Sequence, residues 1–559
     1  MSKLFTQKIF YIIVIGGLAI LATVSMFYNG VPGGNDLPQH YQFAETFYHS
    51  ILSGEIYPSL AGDPNQGYGD VGIRFYPPFA YYVLSAARIF TGNWADASFL
   101  TFFLIFFASG IGVYLWAKEE FSDAQSLLAA GIFIFAPHHL NQIYNSFLFA
   151  EFAASAVLPF CFLFTARVCR KGNLGAMLGL AISFALLLLT HLPTSVFGSP
   201  ILAIYAIFLL RRKSFLKTLS KLAVSVFCGV AASSFYWLRM LAEMSWVKSS
   251  SETYFQGHFD YRENFLLFPF HLLNFQDDIS SLWLADLMLL AMILISIPSV
   301  VFLIKNRSSV SKFSFSVGLI FLISVLMTTP LSYPVWDNLP FLQKVQFPWR
   351  LLGIVSLCGA IFSSTGIFRV AELMNQNKNR FAAAGLGLAM LFFVFTSAFI
   401  VRQASYVPRA EFNLQIENVT SANSFDCWWS IWAKSDAFQI KEKLVAENRA
   451  AEITKWNSTE KDFNVAAGQP SLARVAAFYY PRWQATVNGN PAKIEKADDG
   501  AILIALPPEA SRVELSFVEP FFVKISNVVS ALTWLIFLIV GTILLTGNFY
   551  KTRNPSKIL

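Results

Sequence analysis

Residues 9–40 read IFYIIVIGGLAILATVSMFYNGVPGGNDLPQH: an uncharged run of 20 residues, a Gly/Pro-rich turn, then a carboxylate and an imidazole four residues apart. A helix of about 20 apolar residues crosses a bilayer core, so residues 9–28 read as a membrane span. Lys3 and Lys8 precede it, and no small-residue cleavage site follows, which makes it an anchor rather than a removed signal peptide. Asn35–His40 then opens a long polar loop. Ionisable groups at a membrane face are costly to keep unless they act on something, which makes Asp36 and His40 candidates for chemistry. The structural alternative is a helix cap, with Asp36 at the N-cap, Pro38 in the first turn and Gln39 closing a capping box. The two are compatible, because a cap fixes the direction of the carboxylate.

Composition extends the membrane reading to the whole chain. Of 559 residues, 55% are hydrophobic, 16% aromatic and 13% charged, with Phe at 57 positions. Soluble domains carry about 25% charged residues, and the mean hydropathy here is +0.52. This is the signature of a polytopic membrane protein. The net charge of +7 is no nucleic-acid signal, because Lys and Arg cluster between spans as the positive-inside rule expects. The five cysteines, at 161, 169, 228, 358 and 427, show neither CxxC nor zinc spacing and support no disulfide framework.

In chain order, residues 29–75 form a Gly/Pro/Asn-rich loop. Within it Phe43, Phe47 and Ile51 recur at helical spacing up to Gly54, predicting a helix in the interface with its aromatic stripe in lipid. Further spans are expected near 97–117, 123–137, 151–169, 174–190, 193–210, 221–238, 283–304, 313–330, 349–368, 381–401 and 523–546, about twelve with the first. The basic groups Arg167–Lys171, Arg211–Lys221, Lys305–Lys312, Arg369–Arg380 and Lys551–Lys557 then fall on one side with both termini, the cytoplasmic side of the cell membrane. By this parity residues 76–92, entered through Pro77-Pro78, dip into the membrane or lie flat instead of crossing. The outer face receives loops 29–96, 239–282 and 331–348 and the turn 137–150.

Residues 402–521 interrupt the hydrophobic pattern. Arg474–Tyr480, Ala485–Val487, Ile502–Ala505 and Val513–Phe517 alternate as strands, with Asn488-Gly489 and Asp499-Gly500 as turn signals. The expected organisation is a transmembrane domain over 1–401, an extracytoplasmic β-sandwich within 402–521, and a last span with a cytoplasmic tail over 522–559. The sandwich is expected to fold as a separable unit that the chemistry does not require. Trp428, Trp429 and Trp432 before it suit either the headgroup level or stacking on sugar rings.

The order of these features resembles the GT-C class of integral-membrane glycosyltransferases, above all its 6-pyruvoyl-tetrahydropterin synthase-related membrane domain subgroup and the YfhO-like proteins. The likeness is carried by Asp36-Leu-Pro-Gln-His40, Tyr76-Pro-Pro-Phe79, Ala150-Glu151-Phe152, His191-Leu-Pro-Thr194, Gln346-Phe-Pro-Trp-Arg350, Tyr479-Tyr-Pro-Arg-Trp483 and Val487-Asn-Gly489. It implies inverting transfer of a sugar from a polyprenyl phosphate, at the outer leaflet, to a hydroxyl of a glycan, lipid or protein. It also implies an acidic residue in the first outer loop as general base or as ligand to a divalent metal (Mg²⁺ or Mn²⁺), and Asp36 matches that position. Many members carry paired acidic residues there, whereas Asp36 stands alone with His40, which leaves no metal site assigned.

The residue chemistry points the same way. A base must reach the acceptor hydroxyl, a role for Asp36 with His40 as orienting partner or second base. A lipid phosphate leaves, and guanidinium groups fork onto its oxygens. Arg350, where a span re-enters from outside, is the first candidate, followed by Arg74, Arg239 and Lys344; snorkelling to headgroups is the alternative. His138, His139, Glu151, His191, Gln346 and Trp349 are candidate substrate-lining residues, although hydrogen-bonded helix ends would account for the histidines and Glu151. Charges in loop 239–282, among them Glu243, Asp260, Arg262 and Glu263, can be merely solvated. Two other classes remain: a non-catalytic scaffold presenting a carbohydrate-binding β domain, and a lipid-linked glycan transporter, for which inverted repeats would be expected.

Overall fold

The structure, a computed structural model, describes residues 2–267, 280–306, 310–375 and 380–553. Residues 268–279 of loop 239–282, together with Arg307, Lys378 and Lys557, lie outside them. Among the described residues nine helices are long and apolar enough to cross a membrane: Ile9–Asn29, Trp94–Ala117, Phe149–Arg170, Leu192–Leu209, Arg212–Ala232, Leu282–Lys305, Pro348–Met374, Arg380–Gln403 and Phe521–Thr546. A tenth counts if Lys312–Met327 and Pro330–Asp337, bent 91° to one another, form one broken span. Phe10, Ile13, Leu388, Leu391, Leu535 and Leu538 are each more than half exposed on these helices, as a lipid-facing surface requires.

The count falls below the expected twelve for a geometric reason. The runs at 123–137 and 174–190 are helical only over Asp123–Ile134 and Leu174–Leu188, 12 and 15 residues. At 1.5 Å per residue these rise about 18 and 23 Å, short of a core about 30 Å thick. Residues 76–92 hold the 13-residue helix Phe79–Thr91, also too short to span, ended by Gly92 in a left-handed conformation.

The helix Leu37–Leu52 corrects two expectations. Its aromatic stripe is not in lipid: Phe43 and Phe47 are 1% and 0% exposed, with Phe43 tilted against Tyr76 and Phe47 stacked on Tyr81. Periodicity had marked the apolar face but not its partner. The capping box is also absent. Asp36 occupies the N-cap position without a side-chain cap bond, and the Gln39 side-chain oxygen accepts from the Phe425 amide at 2.8 Å instead.

The soluble segment begins with a helix, Arg409–Ser421, and the sandwich proper runs from Leu444 to Phe517. Two-residue strands β1 (Val31–Pro32) and β2 (Tyr406–Val407) pair the first loop with the start of this segment. Gly30 makes that approach possible: it has φ +113°, and a Cβ there would stand 2.1 Å from Val407 O. The sandwich strands are β3 (Leu444–Ala446), β4 (Ala451–Trp456), β5 (Glu460–Val465), β6 (Ser471–Phe478), β7 (Trp483–Val487), β8 (Asn490–Ala492), β9 (Ile494–Lys496), β10 (Ala501–Leu506) and β11 (Ser511–Phe517). One sheet has the order β3-β6-β10-β9 and the other β4-β5-β11-β7-β8, and each adjacent pair is antiparallel. Asn488 and Gly489, both at positive φ, make the β7–β8 turn as expected. Val475, Ile502, Ile504, Val513 and Leu515 fill the space between the sheets.

Two loops clasp the segment. Gln42 donates to Val419 O and Ala422 O, Asn65 to Ser424, and Val247 bridges Ser430. Loops 29–96 and 239–282 and the sandwich therefore share one face. Cysteines placed at the exposed positions Asp63 and Lys493 are expected to label together from one side of sealed vesicles, and a cysteine at Lys213 from the other. Labelling of Asp63→Cys and Lys493→Cys from opposite sides would contradict this arrangement.

Candidate functional site

Asp36 follows the first span at the mouth of the loop and is half-buried. Its carboxylate has no hydrogen-bond partner among the described residues. Arg350 and Glu151 lie within its electrostatic reach. Burial raises its pKa to about 6, with Arg350 opposing the rise and Glu151 adding to it. A free, half-desolvated carboxylate that titrates near neutrality is suited to taking a proton.

Glu151 sits in the first turn of Phe149–Arg170 and is 5% exposed. One of its oxygens faces His138 Nε2 at 3.1 Å and accepts from Gln142 Nε2 at 2.9 Å. The other lies 3.8 Å from Arg350 Nε, and both of those atoms are buried without a hydrogen bond. Both residues line a cavity of about 20 Å³, the size of one water. Arg350 is aimed by a bond from its Nη1 to Val345 O at 2.7 Å and lies over the Phe347 ring at 4.8 Å. Trp349 backs that ring in a stack at 5.0 Å. Gln346, just before, is held at φ +72°, a strained conformation of the sort that collects at functional sites.

Other loops close on the same point. Tyr76, its hydroxyl pKa raised by burial and by Asp36, also senses Arg350 and Cys427. Cys427 comes from the soluble segment and meets Tyr254 of loop 239–282, which in turn meets Gln346. Tyr254, Cys427 and Gln142 had no local sequence signal, because each is distinguished only by what stands opposite it.

His191 caps the helix Leu192–Leu209, with Nδ1 2.8 Å from Thr194 Oγ1, and lies within electrostatic reach of Glu151 and His40. His40 is not Asp36's partner. Its Nδ1 is 2.7 Å from the Tyr81 hydroxyl, and the rings of Tyr76, Phe147 and Phe149 surround it. Burial, helped by His191, lowers its pKa to about 3, so it stays neutral and cannot serve as a second base near neutral pH. His139 lines no substrate either: Phe133 O and Ser155 occupy its two nitrogens, and it stacks on Phe133. His138 serves Glu151, not a ligand, because it is 2% exposed. Lys344 is exposed, with no ion pair among the described residues.

Arg74 and Arg239 are corrected more sharply. Arg74 is wholly buried and spends all five of its N–H donors on Glu243, Glu519 and Ser59 O, at 2.6–3.1 Å. Burial works against its charge, but Glu519 and Glu243 outweigh that and push its pKa up. Glu243 also accepts from Tyr480 and Arg482 of the sandwich. Arg239, 2% exposed, faces Glu519 at 3.3 Å and lies over Tyr57. Arg74 has no donor left for a phosphate, whereas Arg239 is buried with its Nε and Nη1 unbonded. With Glu243 and Glu519 they fasten the sandwich to the membrane domain. Glu243→Gln is expected to cost about 3–5 kcal/mol, as removal of one partner from a buried ion pair does. A lower melting temperature, with early proteolysis within 402–521, would show it. Of the tryptophans, Trp428 crosses to the membrane domain at Tyr76, whereas Trp429, buried between Phe438 and Phe478, and Trp432, against Tyr479, have these ring contacts within the soluble segment.

The site does not fit a divalent cation. Asp70 and Asp426 come near Cys427 along with Asp36, but a guanidinium already stands near Asp36 and Glu151, where Mg²⁺ or Mn²⁺ would need several converging oxygens. Among the described residues no group of three His, Cys, Asp or Glu could hold a metal.

Residues 73–408 match the family described as "6-pyruvoyl-tetrahydropterin synthase related domain; membrane protein". An uncharacterized protein of Lactococcus lactis subsp. cremoris (strain MG1363) is 26% identical over 250 residues, 42% of this chain and 40% of that protein. The chain thus matches well under half the length of that relative. Among solved structures it is similar to the Archaeoglobus fulgidus oligosaccharyltransferase, with 14% identity, TM-score 0.43, and 73% of this chain and 57% of that one covered. ArnT from Cupriavidus metallidurans aligns at 13% identity and TM-score 0.41, over 74% of each chain. The arabinofuranosyltransferase AftD from Mycobacteria aligns at 14% and 0.41, over 70% and 27%.

Proposed function

Because this chain belongs to the 6-pyruvoyl-tetrahydropterin synthase related family of membrane proteins, and its site presents a free carboxylate within reach of a half-satisfied guanidinium, we propose that it is a membrane glycosyltransferase. It moves a sugar from a polyprenyl-phosphate donor to an acceptor hydroxyl, on the face that carries the sandwich. The observation that carries the reading is Asp36: half-buried, without a side-chain hydrogen bond among the described residues, within electrostatic reach of Arg350, and raised by burial to a pKa of about 6. The motif resemblance supports the lipid-phosphate donor. With the positive-inside count, that face is the extracytoplasmic side of the cell membrane.

The acceptor oxygen attacks the anomeric carbon as its proton passes to Asp36. The bond from that carbon to the phosphate oxygen breaks on the opposite side, and the configuration inverts. Polyprenyl phosphate leaves with the bonding electrons. Arg350 meets the charge that grows on its oxygens, with Lys344 exposed on the same loop. Glu151, held by His138 and Gln142, fixes the guanidinium and acts as a positioning residue. No step runs through a metal, because the donor set does not fit one. His40 builds the aromatic shelf beneath Tyr76 and Tyr81.

The test is transfer in proteoliposomes from a radiolabelled polyprenyl-phosphate sugar, with the anomeric configuration of the product read by NMR. Inversion in a protein-dependent product supports the single displacement. Retention would demand a covalent intermediate and a second nucleophile.

A further inference from the structure

The far half of the helix Leu37–Leu52 borders a second cleft of about 440 Å³, in the seam between the first loop and the sandwich. This volume lies within the range of small-molecule sites, roughly 300–1,000 Å³. One wall presents Glu45, His49, Glu55 and Asp63, and the other presents Lys443, Trp456 and Lys461. Close approach seals one end, since a Cβ on Gly62 would stand 2.9 Å from Ser458 of the β4–β5 hairpin.

Lys461 sets the chemistry. It is 3% exposed, yet its ammonium makes one hydrogen bond, to Asn457 O at 3.1 Å, and otherwise lies over the Trp456 ring at 4.5 Å. Two of its three donors are left to offer, and a buried donor gains from being satisfied. The opposite wall answers with acceptors: Glu45 Oε1 takes Trp94 Nε1 at 2.6 Å, while Oε2 is buried without a hydrogen bond, 3.1 Å from Nε2 of the exposed His49 at the rim. Three carboxylates stand against two ammonium groups, which nearly balance. A strongly charged ligand gains little from such a lining. A neutral molecule with many hydroxyls gains much, because it donates to carboxylates, accepts from Lys461 and lays C–H edges on Trp456.

We propose that this cleft binds a neutral glycan chain. That the chain is the acceptor of the transfer rests on the function proposed above; that it binds does not. The cleft begins about 14 Å along the helix from Asp36, nine residues at 1.5 Å each.

The test uses the full-length protein in nanodiscs, with maltotetraose, cellotetraose, chitotetraose and mannotetraose as probes, read by calorimetry and saturation-transfer NMR. Saturable binding of at least one is expected. Lys461→Met and Trp456→Ala should each weaken it roughly tenfold, the worth of about one good contact. Ser53→Trp, at an exposed lining position, should block it without touching the sandwich core. Lys493→Ala, far out on the surface, should change nothing. Failure of all four sugars to bind, binding indifferent to Ser53→Trp and Trp456→Ala, or binding of inorganic phosphate in place of sugar would each overturn the proposal. Sugar binding that survives Asp36→Asn, in a protein that transfers nothing even as wild type, would uphold the cleft and remove the transferase reading.

Discussion

Asp36→Asn is expected to lower sugar transfer by about 10²–10⁴-fold, the range that a positioned general base supplies. The amide keeps the shape of the carboxylate and cannot accept the acceptor's proton. No cap is lost, because the Asp36 side chain makes no cap bond. The wild-type pH profile carries the same information. With a pKa of about 6, the carboxylate is ionised above that value, so transfer should be flat there and fall about tenfold per pH unit below it. The variant's residual rate should lack that limb. Stability moves the opposite way. A carboxyl whose pKa is raised by folding destabilises the native state once it ionises, so its charge costs about 3 kcal/mol at neutral pH. Asp36→Asn should therefore melt no lower than wild type at pH 7. Near-normal transfer by a well-folded Asp36→Asn protein would remove Asp36 from the chemistry.

What could be read in advance follows the range of the interaction. Spans were legible because little besides a bilayer crossing calls for an apolar run of membrane length, and Asp36 because it follows one directly. Four strands and the Asn488-Gly489 turn were legible because alternation and left-handed turn residues are local signals. Whether Phe43 and Phe47 face lipid or protein was not, since periodicity marks a face and leaves its partner open. Arg74, Arg239 and Arg350 look alike in sequence, each a lone arginine near an outer loop. Their fates differ because Glu243 and Glu519, distant in the chain, close on Arg74, whereas Arg350 meets Glu151 only at 3.8 Å. The short helices Asp123–Ile134 and Leu174–Leu188 show the same limit in one dimension: their hydropathy reads as a span, and only the helix ends show that they fall short.

Arg350→Met should cost about 10²–10³-fold in transfer, the loss seen when a preorganised donor to a developing oxyanion is removed. Arg350→Lys should recover only part, because an ammonium cannot fork across two phosphate oxygens. Rate alone would not separate this role from a structural one, but the pH profile does. Arg350 holds the Asp36 pKa down against burial. Removing that positive charge must raise the pKa further, so the acid limb should move above pH 6 in Arg350→Met and stay closer to the wild-type position in Arg350→Lys. Glu151→Gln removes a negative neighbour and should move the limb below pH 6. A structural loss lowers the plateau without moving the limb, and it has no reason to move it in opposite directions for two neighbouring charges. Opposite displacements would place the base, the guanidinium and its carboxylate in one electrostatic unit. An acid limb that stays put in both Arg350→Met and Glu151→Gln would mean that the titrating base is some group other than Asp36.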